Sequence, residues 1–422
     1  MKSVSAATVF LSAILRRRPL ASFAFRCSRP TASSSKIIAT AASRAGCGDL
    51  TRGADLRDVK SGALEAAEKA SHKERPRTGR PHPRNAFQGT YDMARLTSAY
   101  PPLGPHVARG PTGRPTVDWA DPAAVRALNT ALLVADYRVH PSYAAILPAG
   151  ALVPPVPGRA DYVHHLADAL RRAGALPSAP VGPAVRGMDI GTGASCIYPL
   201  IAASVYGWEM IASDVNPAAL ASARKIVASN GHRDLIDVRG QELSNASIFD
   251  GVLRADERLD FAMCNPPFYP SEDAFRAENA RKRKGLSKKK GAGRKGAKQR
   301  AAPAEAETEG GATTSNNFGG TRSELWCEGG EVAFVRRIVE ESRRYADRCL
   351  LFSSLVSRKE HVAEIEGFLR AAPTKGGGRR RRGVRLVRRV SMGAGRKSAT
   401  LLVWSFLDER ERRQWSHARG WR

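Results

Sequence analysis

Six cysteines, Cys27, Cys47, Cys196, Cys264, Cys327 and Cys349, are scattered over 422 residues, and no two stand in CxxC spacing. That absence removes the common zinc-ligand patterns, so no metal is expected. It also suits a reducing compartment better than a disulfide framework. No apolar run is long enough to cross a bilayer, so no membrane-spanning helix and no membrane partner are expected. Acidic residues are missing from the first 48 positions. The same stretch carries Arg16, Arg17, Arg18, Arg26, Arg29 and Arg44 among many Ser and Ala. This is the composition of an organellar transit peptide, and Val9–Leu15 is too short for a membrane span. A mitochondrion or plastid is therefore the expected destination, with cytoplasm and nucleus as alternatives. Residues 1–80 read as a basic, disordered extension.

Positive charge is what the chain has in excess. The formal net charge is +28 and the pI is near 10.5. Such a balance points to a polyanionic partner, most often nucleic acid, although part of the excess sits in tails. Hydrophobic residues make up 42% of the sequence, enough for a substantial core. No internal repeat is visible.

From about residue 82 the pattern becomes ordered. Asp121 followed by Pro122 caps a helix whose apolar face runs through Leu128, Leu132 and Leu133. The proline-rich turn Val153-Pro154-Pro155-Val156-Pro157 opens a second helix through Leu170. Residues 81–180 thus read as a small helical N-terminal module, expected to contact RNA. Strand patterns follow at Ala184–Ile190, Glu209–Asp214, Leu235–Val238 and Leu259–Cys264, with helical stretches between them. Strand alternating with helix predicts an α/β, doubly wound, Rossmann-like sheet. A later strand at 348–354 and a final pair at 384–391 and 398–406 predict a mostly parallel sheet with an antiparallel C-terminal end, over 181–415. The run of Gly, Ala and Lys at 281–318 interrupts this rhythm and reads as a disordered basic insertion.

Two stretches carry chemistry. Gly191-Thr192-Gly193-Ala194-Ser195 follows a strand and opens a helix, where glycine lets the backbone approach a ligand closely. Asp214 ends the next strand, the place from which an acid reaches ribose hydroxyls. The third glycine of the dinucleotide fingerprint is absent, since Ser195 and Cys196 stand there. That favours a cofactor without a pyrophosphate. The second stretch is Asn265-Pro266-Pro267-Phe268 at the end of the Leu259–Cys264 strand. Two prolines stop the strand and stiffen its end. The Asn265 amide offers a donor and an acceptor, and Phe268 a flat π-face. Alone, the motif suits adenine, cytosine or a glutamine side chain. A glycine loop, then an acid, then Asn-Pro-Pro-aromatic is the layout of amino methyltransferases.

Further segments narrow this class. His82-Pro83-Arg84-Asn85, Pro154 to Tyr162, Cys196-Ile197-Tyr198-Pro199-Leu200, Asn317-Phe318-Gly319-Gly320 and Glu324 to Glu331 closely resemble the RlmF family of bacterial large-subunit rRNA adenine-N6 methyltransferases. Eukaryotic relatives act on spliceosomal small nuclear RNA. The resemblance covers about residues 82–415 and leaves out the extension and most of 285–316. It implies a class I methyltransferase fold and S-adenosylmethionine as cofactor. It also implies RNA as partner, most of all large-subunit rRNA; a monomer is expected. Asn265, Pro266, Pro267 and Phe268 would be catalytic. Gly191, Gly193, Ser195 and Asp214 would hold the cofactor, Arg159 its carboxylate, and Ser247 would lie near its adenine. Arg84 and the run Arg281, Lys282, Arg283 and Lys284 would grip RNA phosphates. His164 and His165 are expected to pack rather than catalyse.

Overall fold

The computed structural model describes residues 80–148, 151, 154–241, 247–271, 273–274, 327–371, 382–394 and 397–421. The expectations for residues 1–79, for the basic insertion at 281–318 with Arg281, Lys282, Arg283 and Lys284, and for Asn317 to Trp326 lie outside them.

The described part of the chain opens with α1 (Met93–Ala99) and a two-stranded ribbon, β1 (Val107–Arg109) against β2 (Pro115–Val117). Neither was legible from periodicity. Helix α2 (Pro122–Tyr137) starts where the cap predicts, with the Asp121 carboxylate accepting from Ala123 N–H. After the short α3 (Tyr143–Ile146), the long α4 (Val156–Ala173) opens behind the proline turn. The sheet domain then runs β3 (Arg186–Ile190), α5 (Ile197–Tyr206), β4 (Glu209–Asp214), α6 (Pro217–Ser229), β5 (Ile236–Gly240) and β6 (Leu259–Cys264). It continues with α7 (Gly330–Ser342), β7 (Cys349–Val356), α8 (Lys359–Arg370), β8 (Leu386–Ala394), β9 (Lys397–Ser405) and α9 (Glu409–Ala418).

Seven strands lie in the order β5-β4-β3-β6-β7-β9-β8. The first five are parallel neighbours, and β9 pairs antiparallel to both β7 and β8. The chain builds outward from β3 through β4 to β5, then returns to the other side of β3 with β6. The order therefore reverses between β3 and β6. In open parallel sheets a ligand crevice opens at such a point, beyond the carboxyl ends of the strands. Those ends carry Gly191 and Asn265, so the topology brings both motifs to one mouth.

Apolar side chains cover both faces of the sheet. One core joins Leu128, Tyr162, Leu166, Ile201, Trp208 and Phe261, so residues of the 81–180 segment share a core with the sheet. The other joins Met188, Phe249, Ile338, Phe352, Ile365 and Trp404 beneath α7 and α8. Every residue of β6 is buried. Among the described residues, Cys196, Cys264, Cys327 and Cys349 are free thiols, and no helix is long and apolar enough to cross a membrane.

Helix α9 is an addition to what the sequence suggested. Its start carries a capping box, with Asp408 accepting from Glu411 N–H and the Glu411 carboxylate accepting from Asp408 N–H. That signal is readable in the sequence as Asp-x-x-Glu. Its docking partner is not: the buried Asp260 of β6 accepts from Trp415 Nε1 at 2.7 Å and Arg419 Nε at 2.9 Å.

Candidate active site

Gly191 and Gly193 adopt φ of +75° and +64°, a region that side chains with a Cβ rarely occupy. The loop they form is tied to β4. The N–H groups of Gly191 and Thr192 both donate to Ser213 O, at 3.0 and 2.8 Å. Gly193 N–H donates to Asp214 Oδ2 at 2.8 Å, and Asn216 N–H to Asp214 Oδ1 at 2.9 Å. Asp214 is thus held in one orientation by its own neighbours. A carboxylate has lone pairs beyond these two bonds, so it can still accept from a ribose. Burial pushes its carboxyl above the ordinary range, against the backbone donors.

Beyond the strand ends lies a cavity of about 540 Å³. Of the residues read as functional in the sequence, Arg159, Gly191, Gly193, Ser195, Asp214, Ser247, Asn265 and Pro267 line it. Pro266 is buried and Phe268 is 37% exposed; neither lines the cavity. Arg159 has its guanidinium 5.6 Å from the centre of the Tyr198 ring. Its neighbour Asp161 turns the other way, accepting from His82 N–H at 2.9 Å and from the Asn85 amide.

Arg84 is placed elsewhere. Its guanidinium donates to Tyr206 Oη at 3.0 Å, His164 O at 3.0 Å and Asp168 Oδ1 at 2.8 Å. These bonds brace the N-terminal segment to α4 and α5. His164 and His165 belong to the same packing cluster, and burial pushes their imidazoles down to about 3 and about 4, so both are neutral.

Several wall residues were not singled out from sequence: Thr192, Tyr198, Gln241, Cys327, Phe334 and Arg337. Glu341 on α7 is a further omission. It accepts from Ser247 Oγ, Ile248 N–H and Phe249 N–H, the latter two at 2.7 and 2.8 Å. The Ser247 hydroxyl is therefore engaged within the protein, and the turn that carries it is fixed from 94 residues away.

Among the described residues, Asn265 Oδ1 is a buried acceptor on the cavity wall with no hydrogen-bond partner, while the buried Asp189 interacts with Thr192, and Tyr198 with Arg159. Leaving such an atom unpaired costs about 1–3 kcal/mol, so it marks a place built for a polar ligand. The set matches S-adenosylmethionine: acids for its ammonium and ribose, a guanidinium for its carboxylate, glycine backbone for close approach, and no phosphate site. Asp189 is strongly perturbed. Full burial, with Asp214 beside it, pushes its carboxyl up to about 7.

This raised value makes the ligand-free protein sensitive to pH. Between about pH 4 and about 7 the folded chain holds a proton that the unfolded chain has lost. That contribution to stability is full below the unfolded pKa and is lost as pH rises through about 7. Melting temperature should fall over this window, and Asp189→Asn should flatten the slope. Equal slopes for both proteins would refute the assignment.

Together the parallel sheet, the glycine loop with Asp214, and the Asn-Pro-Pro end define a class I S-adenosylmethionine-dependent methyltransferase. Residues 77–408 match the model of a family described as RNA methyltransferase. The chain belongs to that family. It is 41% identical over 336 residues to the ribosomal RNA large subunit methyltransferase F of Pseudomonas putida KT2440, covering 79% of this chain and 95% of that protein. To the methyltransferase F of Ectopseudomonas mendocina it is 41% identical over 356 residues, covering 84% and 96%. Among solved structures it is similar to the human METTL16 catalytic domain in complex with the MAT2A 3′UTR hairpin 1. There the TM-score is 0.57 at 30% identity, covering 78% of this chain and 96% of that one. The N-terminal domain of human METTL16 in complex with SAH gives a TM-score of 0.55 at 28% identity, covering 78% and 99%.

Proposed function

We propose that the protein transfers a methyl group to the exocyclic N6 of an adenine in large-subunit ribosomal RNA. The observation that carries this reading is Asn265 Oδ1. It is a buried acceptor without a partner among the described residues, on a proline-stiffened strand end, sharing one cavity with the glycine loop and Asp214.

An aromatic amine is a weak nucleophile because its lone pair is delocalised into the ring, and no side chain deprotonates it near neutral pH. Orientation is what the protein can supply. The Asn265 amide oxygen and the Pro266 carbonyl accept the two amine hydrogens, which draws the nitrogen toward tetrahedral geometry and aims its lone pair. Phe268, exposed three residues past Asn265, stacks on the base. When bound, S-adenosylmethionine supplies an electrophilic methyl group on a sulfonium. Positioning of this kind can lower a barrier by several kcal/mol. The amine proton passes to solvent water after transfer.

The large-subunit reading is supported by relatives that the chain matches over nearly their whole length. A second reading, small nuclear or messenger RNA, is favoured by the METTL16 domain solved with an mRNA hairpin. The net charge of +28 disfavours a glutamine side chain. Incubation with total RNA and methyl-labelled S-adenosylmethionine, followed by size fractionation, separates these. Label is expected in large-subunit rRNA; label confined to small nuclear RNA would transfer the assignment.

The target base must leave its stack, which a looped or single-stranded site makes easier. The run Arg281, Lys282, Arg283 and Lys284 soon after the Asn-Pro-Pro-Phe motif grips phosphates in this scheme. Deleting 281–300 should weaken RNA binding and flatten its salt dependence by about one unit of log–log slope per lost phosphate contact. An unchanged slope would leave the run without that role. The acid-free N terminus directs the protein, acting as a monomer, to a mitochondrion or plastid. A C-terminal fluorescent tag imaged in the source cell tests the compartment, and a nuclear signal would oppose it.

A further inference from the structure

The strand that carries Asn265 is held at its end by a side chain from another layer. Strand β6 pairs with β3 as far as Cys264, opposite Ile190. Its pairing with β7 stops earlier, at Ala262 opposite Phe352. Just past that last pair the fully buried Tyr162 of α4 places its hydroxyl between the two strands. Cys264 N–H donates to Tyr162 Oη at 3.2 Å. Tyr162 Oη lies 3.0 Å from Ser353 Oγ and 3.3 Å from Cys264 O. Ser353 Oγ in turn donates to Ala262 O at 3.0 Å.

A phenol has one proton to give, and burial keeps this one on the oxygen. With the Ser353 proton on Ala262 O, the Tyr162 proton goes to Ser353 Oγ, the nearer acceptor. The bonds then run head to tail from Cys264 N–H through Tyr162 and Ser353 to Ala262 O. Residues 262 and 264 are bracketed at the position immediately before Asn265.

We infer that Tyr162 is a positioning residue for methyl transfer: its hydroxyl, relayed through Ser353, fixes the end of β6 so that Asn265 and Pro266 meet the amine at one geometry. The same helix carries Arg159 one turn earlier, on the cavity wall. A single rigid element thus spans the cofactor end and the substrate end of the site. Tyr162 also packs edge-on against the wall residue Tyr198, with centroids 5.4 Å apart, so its ring serves packing and its hydroxyl serves the relay. This inference rests on the methyltransferase reading for its kinetic consequence, but not for its structural one.

The test uses the full chain with Tyr162→Phe, which keeps the ring, and Ser353→Ala, which removes the next link. Amide hydrogen exchange over 259–265 and single-turnover methylation of adenine-containing RNA are measured, with S-adenosylmethionine affinity by calorimetry. Tyr162→Phe should raise exchange at the Cys264 amide about ten-fold or more and slow single turnover by a similar factor, with cofactor affinity changed less than about two-fold. Ser353→Ala should shift both in the same direction by a smaller factor. Faster exchange in β4 as well would mean general loosening and would overturn the specific role, as would a single-turnover rate within about two-fold of the parent. If the parent itself transfers no methyl group, the proposed function fails. The exchange result then decides alone, and unchanged protection at Cys264 overturns the relay.

Discussion

Asn265→Ala is expected to slow methyl transfer by roughly 10²–10³-fold, the loss typical when a preorganised hydrogen-bonding group at a reacting centre is removed. Cofactor affinity should change little, because the glycine loop and Asp214 are built on β3 and β4 and make none of their hydrogen bonds to Asn265. The alanine lacks the buried oxygen that has no partner among the described residues. It keeps the Pro266 carbonyl, so one amine hydrogen is still accepted while the second is not. Asn265→Asp retains an oxygen acceptor and should fall between the alanine variant and the parent. Single-turnover rates with calorimetric binding separate the two effects. An alanine variant within about ten-fold of the parent would remove Asn265 from the reaction.

Gly187→Ala is expected to be the most damaging single methyl addition in the sheet. Gly187 on β3 stands directly opposite Phe261 on β6. A Cβ built there would sit 2.1 Å from Phe261 Cζ and 2.3 Å from Cε2. The ring cannot swing away, since it is completely buried and lies 5.0 Å from the Trp208 ring. Overpacking of this kind destabilises by about 3 kcal/mol or more when neighbours cannot yield. The double variant Gly187→Ala/Phe261→Leu should recover part of the loss by freeing ring volume. Denaturant midpoints of parent, single and double variants measure this, and an unchanged midpoint in Gly187→Ala would contradict the packing. The consequence reaches the site, because the spacing of β3 and β6 sets the distance between the Gly191 loop and Asn265.

Local signals made much of the site legible in the sequence. A glycine pair after a strand, an acid after the next and an asparagine before two prolines are each written within a few residues. The caps Asp121 and Asn216 likewise start helices where they stand. What stayed hidden is held by long-range partners. Glu341 fixes the Ser247 turn from another helix, and Tyr162 reaches Cys264 across 102 residues. No periodicity announces such pairs. Asp189 shows the opposite failing. The Ala184–Ile190 run reads as an apolar strand, yet its acid is fully buried, with Thr192 beside it. An aspartate inside a buried strand is a visible anomaly, and its position two residues before Gly191 now gives it a reason. Arg84 shows that a basic residue in an RNA-directed segment can also brace the fold.

The most direct test of adenine-N6 transfer is nucleoside analysis. Purified protein is incubated with unmethylated large-subunit rRNA and methyl-labelled S-adenosylmethionine, and the RNA is digested to nucleosides and resolved by mass spectrometry. Label in N6-methyladenosine, lost with Asn265→Ala, is the expected result. Label in a methylcytidine, in protein glutamine, or in no RNA nucleoside at all would contradict it.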